Sequence, residues 1–244
     1  CNRYVKSVEH LAELNREGKF GKIYHVYMGA IVCFLFVLGL LIVKGPYKWA
    51  ILAATLFSVF LAWGHNFMPL TEFFFKYFPL YNKFRAVSSI LIVAEITMPL
   101  LGFLAVKVLM DGSITKEKAI RNIYTAAGIT AGLCLFIALF GSMVFDFHAP
   151  VDASLASLPD FAYQGILDER ASLMRSDALR SFLFIVLAAA TLWVFMKGWL
   201  KWSYMVAILG VLVLADMWPV NKRYLNDSHF VTKKNNTAAF QMLP

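Results

Sequence analysis

Two cations stand just ahead of a long apolar run in PLYNKFRAVSSILIVAEITMPL, residues 79–100, and a carboxylate lies inside that run. Lys83 and Arg85 precede a candidate helix whose first free amides carry partial positive charge. A guanidinium, an ammonium and free N–H groups at one membrane edge suit a phosphate or pyrophosphate headgroup. The competing reading is anchoring to anionic lipid, which needs positive charge but no particular geometry. Glu95 lies about six residues into the run, roughly 9 Å below the same edge at about 1.5 Å per residue. An ionisable group within a span is costly and as a rule faces a bundle interior or a wet cavity, which makes Glu95 a candidate functional group. Asp216, in LVLADMWPVNKRYL, is the second intramembrane acid, about four residues from the end of its own run. The bland alternative for both acids is an interfacial group hydrogen-bonded to neighbouring helices or paired with Arg85 or Arg223.

His65 completes the candidate binding set of Lys83, Arg85, Glu95, Asp216 and His65. His65 and His148 each have a carboxylate nearby in sequence, Glu72 and Asp146. Their spacing follows no recognised ligand pattern, so no metal is expected. The chain has no Walker A loop, Gly-rich dinucleotide signature, HExxH or CxxC. Neither a cofactor nor a nucleic-acid partner is therefore expected.

These groups need elements to hold them, and composition says which kind. Of 244 residues, 60% are hydrophobic and 16% charged, and the mean hydropathy is +0.65. That is too apolar for an ordinary soluble domain. A spanning helix needs roughly 20 apolar residues to cross about 30 Å of hydrocarbon. About six segments meet or approach this length, at 24–43, 49–66, 89–110, 123–145, 179–196 and 200–220. The expected fold class is an all-α polytopic membrane bundle. Lysines 44, 48, 197 and 201, with Trp49, Trp63, Trp199, Trp202 and Trp218, mark its interfaces. Cys33 and Cys134 fall inside spans and imply neither a disulfide nor a metal framework.

An even number of spans puts both tails on one side, together with the loops 64–88 and 146–178. All the candidate site residues then gather at that side. The opposite side carries short basic connections near 44–48, 111–122 and 197–201, which argues that it is cytoplasmic. The basic segment 1–23 pulls the other way, so charge alone leaves the orientation open. That segment reads as a connector or a short amphipathic helix. MPLTEFFFKYFPLYNKF should lie in the interface plane, with Lys76 snorkelling outward. The loop 146–178 should form one or two short helices after Pro159. The chain starts without Met and ends in residues 221–244, which read as the opening of a further region, so a longer protein is expected.

FSVFLAWGHNFMPLTEFFFKYFPLYNKFRAVSSILIVAEITMPLLG, 57–102, and LADMWPVNKRYLNDSHF, 214–230, resemble the YfhO-type integral membrane proteins of Bacteroidetes, of the broad GT-C-like class of polytopic glycosyltransferases. The likeness is most specific from WGHNFMPL to NKFRAVSS and in VNKRYLND, and it covers most of residues 27–230. It implies a multi-pass protein of the bacterial inner membrane, with the tail-bearing side extracytoplasmic. It further implies transfer of sugar from a polyprenyl-phosphate carrier to a cell-envelope acceptor, with membrane lipid and the lipid-linked sugar as partners. The catalytic acid of such enzymes lies in an early extracytoplasmic loop, and no residue here matches it. A transporter or lipid flippase would use intramembrane acids near the midplane, whereas Glu95 and Asp216 are shallow. A non-catalytic assembly protein is the remaining alternative.

Overall fold

The computed structural model describes residues 27–63, 68–78, 90–148, 152 and 160–224. Seven helices carry them: α1 (Ala30–Ile42), α2 (Tyr47–Ala62), α3 (Met68–Tyr77), α4 (Ile92–Met110), α5 (Lys116–Val144), α6 (Asp160–Met196) and α7 (Trp202–Tyr224). The four from α4 to α7 are long and apolar enough to cross a membrane, and α1 and α2 are shorter apolar helices. The fold is thus an all-helical bundle of membrane type.

The shortest of the apolar helices is its centre. α1, AIVCFLFVLGLLI, has no charged residue and buries Ile31, Phe34, Leu35, Leu38 and Ile42. A helix apolar all round has no solvent face to offer and belongs inside. It contacts α2, α4, α5, α6 and α7, most extensively α4. Gly39 permits that closeness: a Cβ there would come within 2.7 Å of the Leu101 carbonyl oxygen. Beyond its C-terminus, Lys48 Nζ donates to the Leu40 carbonyl at 2.9 Å, meeting one of the acceptors that a helix end leaves open.

α2 joins α4 through Thr55 and Thr97, whose hydroxyls lie 2.7 Å apart. Each also has its own i−4 carbonyl within 2.8 Å, so with one proton per hydroxyl one threonine donates across the seam while the other donates within its helix. A hydroxyl with its i−4 carbonyl in reach is satisfied inside a helix, so such residues join membrane helices at little desolvation cost.

Two expectations are corrected by the helix bounds. The short helices expected after Pro159 are the first half of one continuous helix, because α6 runs unbroken from Asp160 through the span expected at 179–196. Its length is about 55 Å at about 1.5 Å per residue, so once its second half crosses the hydrocarbon the first half projects beyond it. α5 starts at Lys116, about two turns before the expected 123, since Thr115 stands in the extended conformation that opens a helix. α6 stops at Gly198, whose φ of +82° closes the helix and turns the chain into α7.

The aromatic segment expected in the interface plane contains α3. On it Glu72, Phe73, Lys76 and Tyr77 are exposed, and the Lys76 ammonium lies 5.6 Å from the Tyr77 ring centroid.

Candidate functional site

Glu95 lies in the first turn of α4. There the positive end of the helix dipole favours a carboxylate, which gives a local reason for an acid at the head of an apolar run. The side chain is exposed and lines a cleft of about 810 Å³ between α1, α4 and α7. Four residues on, Pro99 lacks the N–H that would bond the Glu95 carbonyl, and it lines the same cleft.

The wall is a set of helical stripes. α4 supplies Glu95, Pro99, Gly102, Phe103 and Val106, and α7 supplies Val206, Gly210, Val213, Met217 and Asn221. Spacings of three and four put each set on one face. The stripe on α7 rises about 22 Å, shorter than the roughly 30 Å hydrocarbon core. Phe103 and Leu214, 73% and 67% exposed, form its open rim toward the outside of the bundle. The polar side chains that line it, Tyr27, Glu95 and Asn221, come from the start of α4, the end of α7 and the residues just before α1. The cleft therefore has the form of an amphiphile, apolar along its length and polar at its mouth.

Asp216 is fully buried just behind that mouth. Tyr27 Oη donates to its Oδ1 at 2.8 Å, and the Ala30 amide donates to its Oδ2 at 2.8 Å. The second bond explains why an acid sits here. Ala30 opens α1 behind Gly29, which has no side chain to cap it, so the carboxylate of α7 caps α1 from a distance in sequence. Arg180 of α6 completes the cluster. Its Nη2 donates to Tyr27 Oη at 3.3 Å and lies 3.8 Å from Asp216 Oδ1, while its Nη1 lies 3.8 Å from Asp177 Oδ1. The partner of Asp216 among the described residues is thus Arg180, from a different helix than the Arg223 or Arg85 considered from sequence.

The structure therefore places Glu95 on the cleft and Asp216 beside it, at the same end of the bundle. Lys83, Arg85 and His65 lie outside the described residues. Tyr27, Arg180 and Gly210 are the contributors that sequence reasoning missed. Tyr27, Arg180 and Gly210 lie in the runs 24–43, 179–196 and 200–220, where no motif or spacing singles them out. Only their long-range neighbours give them roles.

A second polar cluster lies at the start of α6. Arg170 holds Asp152 in a two-point pair, at 2.7 and 2.8 Å, and donates to the Phe147 carbonyl at 2.7 Å. Between these anchors His148 pairs with Asp146 through both its backbone amide and its ring. These bonds hold the exposed Asp146 carboxyl below the usual carboxylate range, the backbone amide contributing most. Among the described residues no three metal-ligating side chains converge.

No family model, curated protein or solved structure matches the chain.

Proposed function

We propose that this chain is the membrane-embedded part of a glycosyltransferase of the bacterial inner membrane. Its donor is a sugar carried on polyprenyl phosphate, its acceptor lies in the extracytoplasmic envelope, and the isoprenoid tail lies in the cleft between α1, α4 and α7. The observation that carries the reading is the cleft itself, an apolar groove with polar side chains at one end only. Its mouth lies at the end of α4 that follows Lys83 and Arg85 in sequence, the residues suited to the donor phosphate. The YfhO-type resemblance of 57–102 and 214–230 supports the same chemistry.

In that reaction an acceptor hydroxyl attacks the anomeric carbon, a new C–O bond forms, and the bond from that carbon to the phosphate oxygen breaks. The electron pair leaves on polyprenyl phosphate, and the hydroxyl proton passes to a general base. No residue is assigned that last role. Cations at the mouth stabilise the departing phosphate, and Glu95 orders the sugar or the pocket.

The test fills the cleft without disturbing the fold. A Cβ on Gly210 meets nothing within 4 Å, and the same holds for Gly128, which does not line the cleft. Gly210→Leu should abolish retention of polyprenyl phosphate by the purified protein in nanodiscs and sugar transfer in proteoliposomes, while Gly128→Leu keeps both. Equal behaviour of the two variants would remove the cleft from the reaction. Lipid retention with transbilayer movement of the carrier, and without transfer, would instead make the protein a flippase.

A further inference from the structure

The three polar side chains on the cleft differ in what they have left to give. Tyr27 spends its one hydroxyl proton on Asp216 and accepts from Arg180, so it brings no donor. Asn221, exposed near the end of α7, carries both donors and an acceptor. The Glu95 carboxylate only accepts, and among the described residues it makes no hydrogen bond or ion pair. Its own backbone adds a further open acceptor, since Pro99 has no N–H for the Glu95 carbonyl. The polar end of the cleft is therefore rich in acceptors and short of protons to fill them.

The described cations at this end of the bundle do not relieve that shortage. Arg180 stands 3.8 Å from both Asp216 and Asp177 and is held between them. Lys222 is exposed and does not line the cleft. A headgroup settling here strips water from Glu95 beside apolar walls, and a carboxylate so stripped needs opposite charge as well as hydrogen bonds. A hydroxyl offers a proton without charge, and a phosphate meets repulsion. An ammonium brings a compact positive charge together with three N–H donors.

We propose that Glu95 is a specificity-determining residue of the cleft, selecting an amphiphile whose headgroup bears an ammonium, as a sugar with a free amine does. This rests on the reading of the cleft as the site of a lipid-linked sugar, and it narrows that sugar to an amine-bearing one. The two charges of one donor then go to separate groups. The amine goes to Glu95, and the phosphate to Lys83 and Arg85, the cations that precede α4 in sequence.

The experiment compares dodecylamine with N-dodecylacetamide, which has the same tail and an N–H but no charge. Each is titrated against the full chain in phosphatidylcholine nanodiscs and read by native mass spectrometry. Partition into the bilayer is the same for every variant, so it cancels when ratios of amine to amide binding are compared. The wild-type ratio should exceed that of Glu95→Gln about ten- to a hundredfold, the range expected for a hydrogen bond between charged groups. Glu95→Gln should leave amide binding unchanged, and Glu95→Asp should keep part of the ratio. Glu72→Gln, which removes an exposed acid of α3 that does not line the cleft, should keep all of it. Methylammonium should compete only weakly, as it brings no tail. A ratio that is the same in wild type and Glu95→Gln overturns the proposal. Displacement of dodecylamine by methylammonium at matched concentration also overturns it, in favour of a free-cation site. Binding of neither probe to wild type, or binding of both that Gly210→Leu leaves intact, is a different failure, that of the cleft reading itself.

Discussion

α1 meets α4 and α7 in opposite ways. Against α4 the backbones close until a Cβ on Gly39 would overlap Leu101, and one on Gly102 would come within 3.1 Å of Leu35 Cβ. Toward α7 the helices part below Asp216 and leave about 810 Å³ lined by Val213, Met217 and Gly210. Glycine occurs on both sides, and its meaning reverses. In the seam it lets two backbones approach, whereas on α7 it leaves room for something else. A residue type therefore does not announce whether it serves packing or binding. The difference is decided by what stands opposite.

The contrast is sharpest where α7 is fastened. Asp216 caps α1 and faces Arg180, so Asp216→Ala leaves an uncapped helix and a buried cation together. The expected loss is about 3 kcal/mol, measured by unfolding in detergent, with α7 detaching first in hydrogen exchange. A loss no larger than that of an exposed substitution would mean that α7 is held by its apolar face alone.

Gly39→Ala tests the seam and should cost about 1–3 kcal/mol, because the added methyl group meets backbone rather than the end of a flexible side chain. Gly210→Leu is its counterpart. It should change stability by less than about 1 kcal/mol, since leucine forms helix better than glycine and its Cβ has nothing within 4 Å. Its effect belongs to lipid retention. Were the two substitutions to cost the same, the cleft would close in the membrane.

Thr97→Val probes the second seam, between α2 and α4. Hydroxyl pairs between membrane helices average about 0.6 kcal/mol, and a loss of that order is expected in a double-mutant cycle with Thr55→Val. The smallest effect concerns the Asp146–His148 turn, outside the bundle. The Asp146 carboxyl is held low in the folded chain, so its contribution is complete above the ordinary aspartate range near pH 4 and is lost as the pH falls through the lowered value. Limited proteolysis between pH 5 and pH 2 should show the 145–148 turn loosening only at the acid end, while the transmembrane helices remain protected. Loosening already at pH 5 would contradict the direction of that shift.

Local chemistry made much of the bundle legible. Long apolar runs with basic and aromatic ends can hardly be anything but helices of membrane type, because a backbone in hydrocarbon must satisfy its own hydrogen bonds. The same logic marked Glu95 and Asp216, since a charge in such a run demands a reason. Helix ends were less legible: the polar first half of α6 carries no apolar run, and continues as helix because its residues are good helix formers joined directly to a span.

Which reason each acid has was settled only by the tertiary structure. Glu95 faces the cleft, and Asp216 caps a helix whose first residue lies 186 positions away in sequence. Arg180 acquires its place in the same cluster across 153 positions, through Tyr27. Sequence determines the cost of burying these groups, which depends on their chemistry alone. Their partners depend on which faces of α1, α6 and α7 are brought together, and no periodicity within one helix specifies its neighbour's rotation.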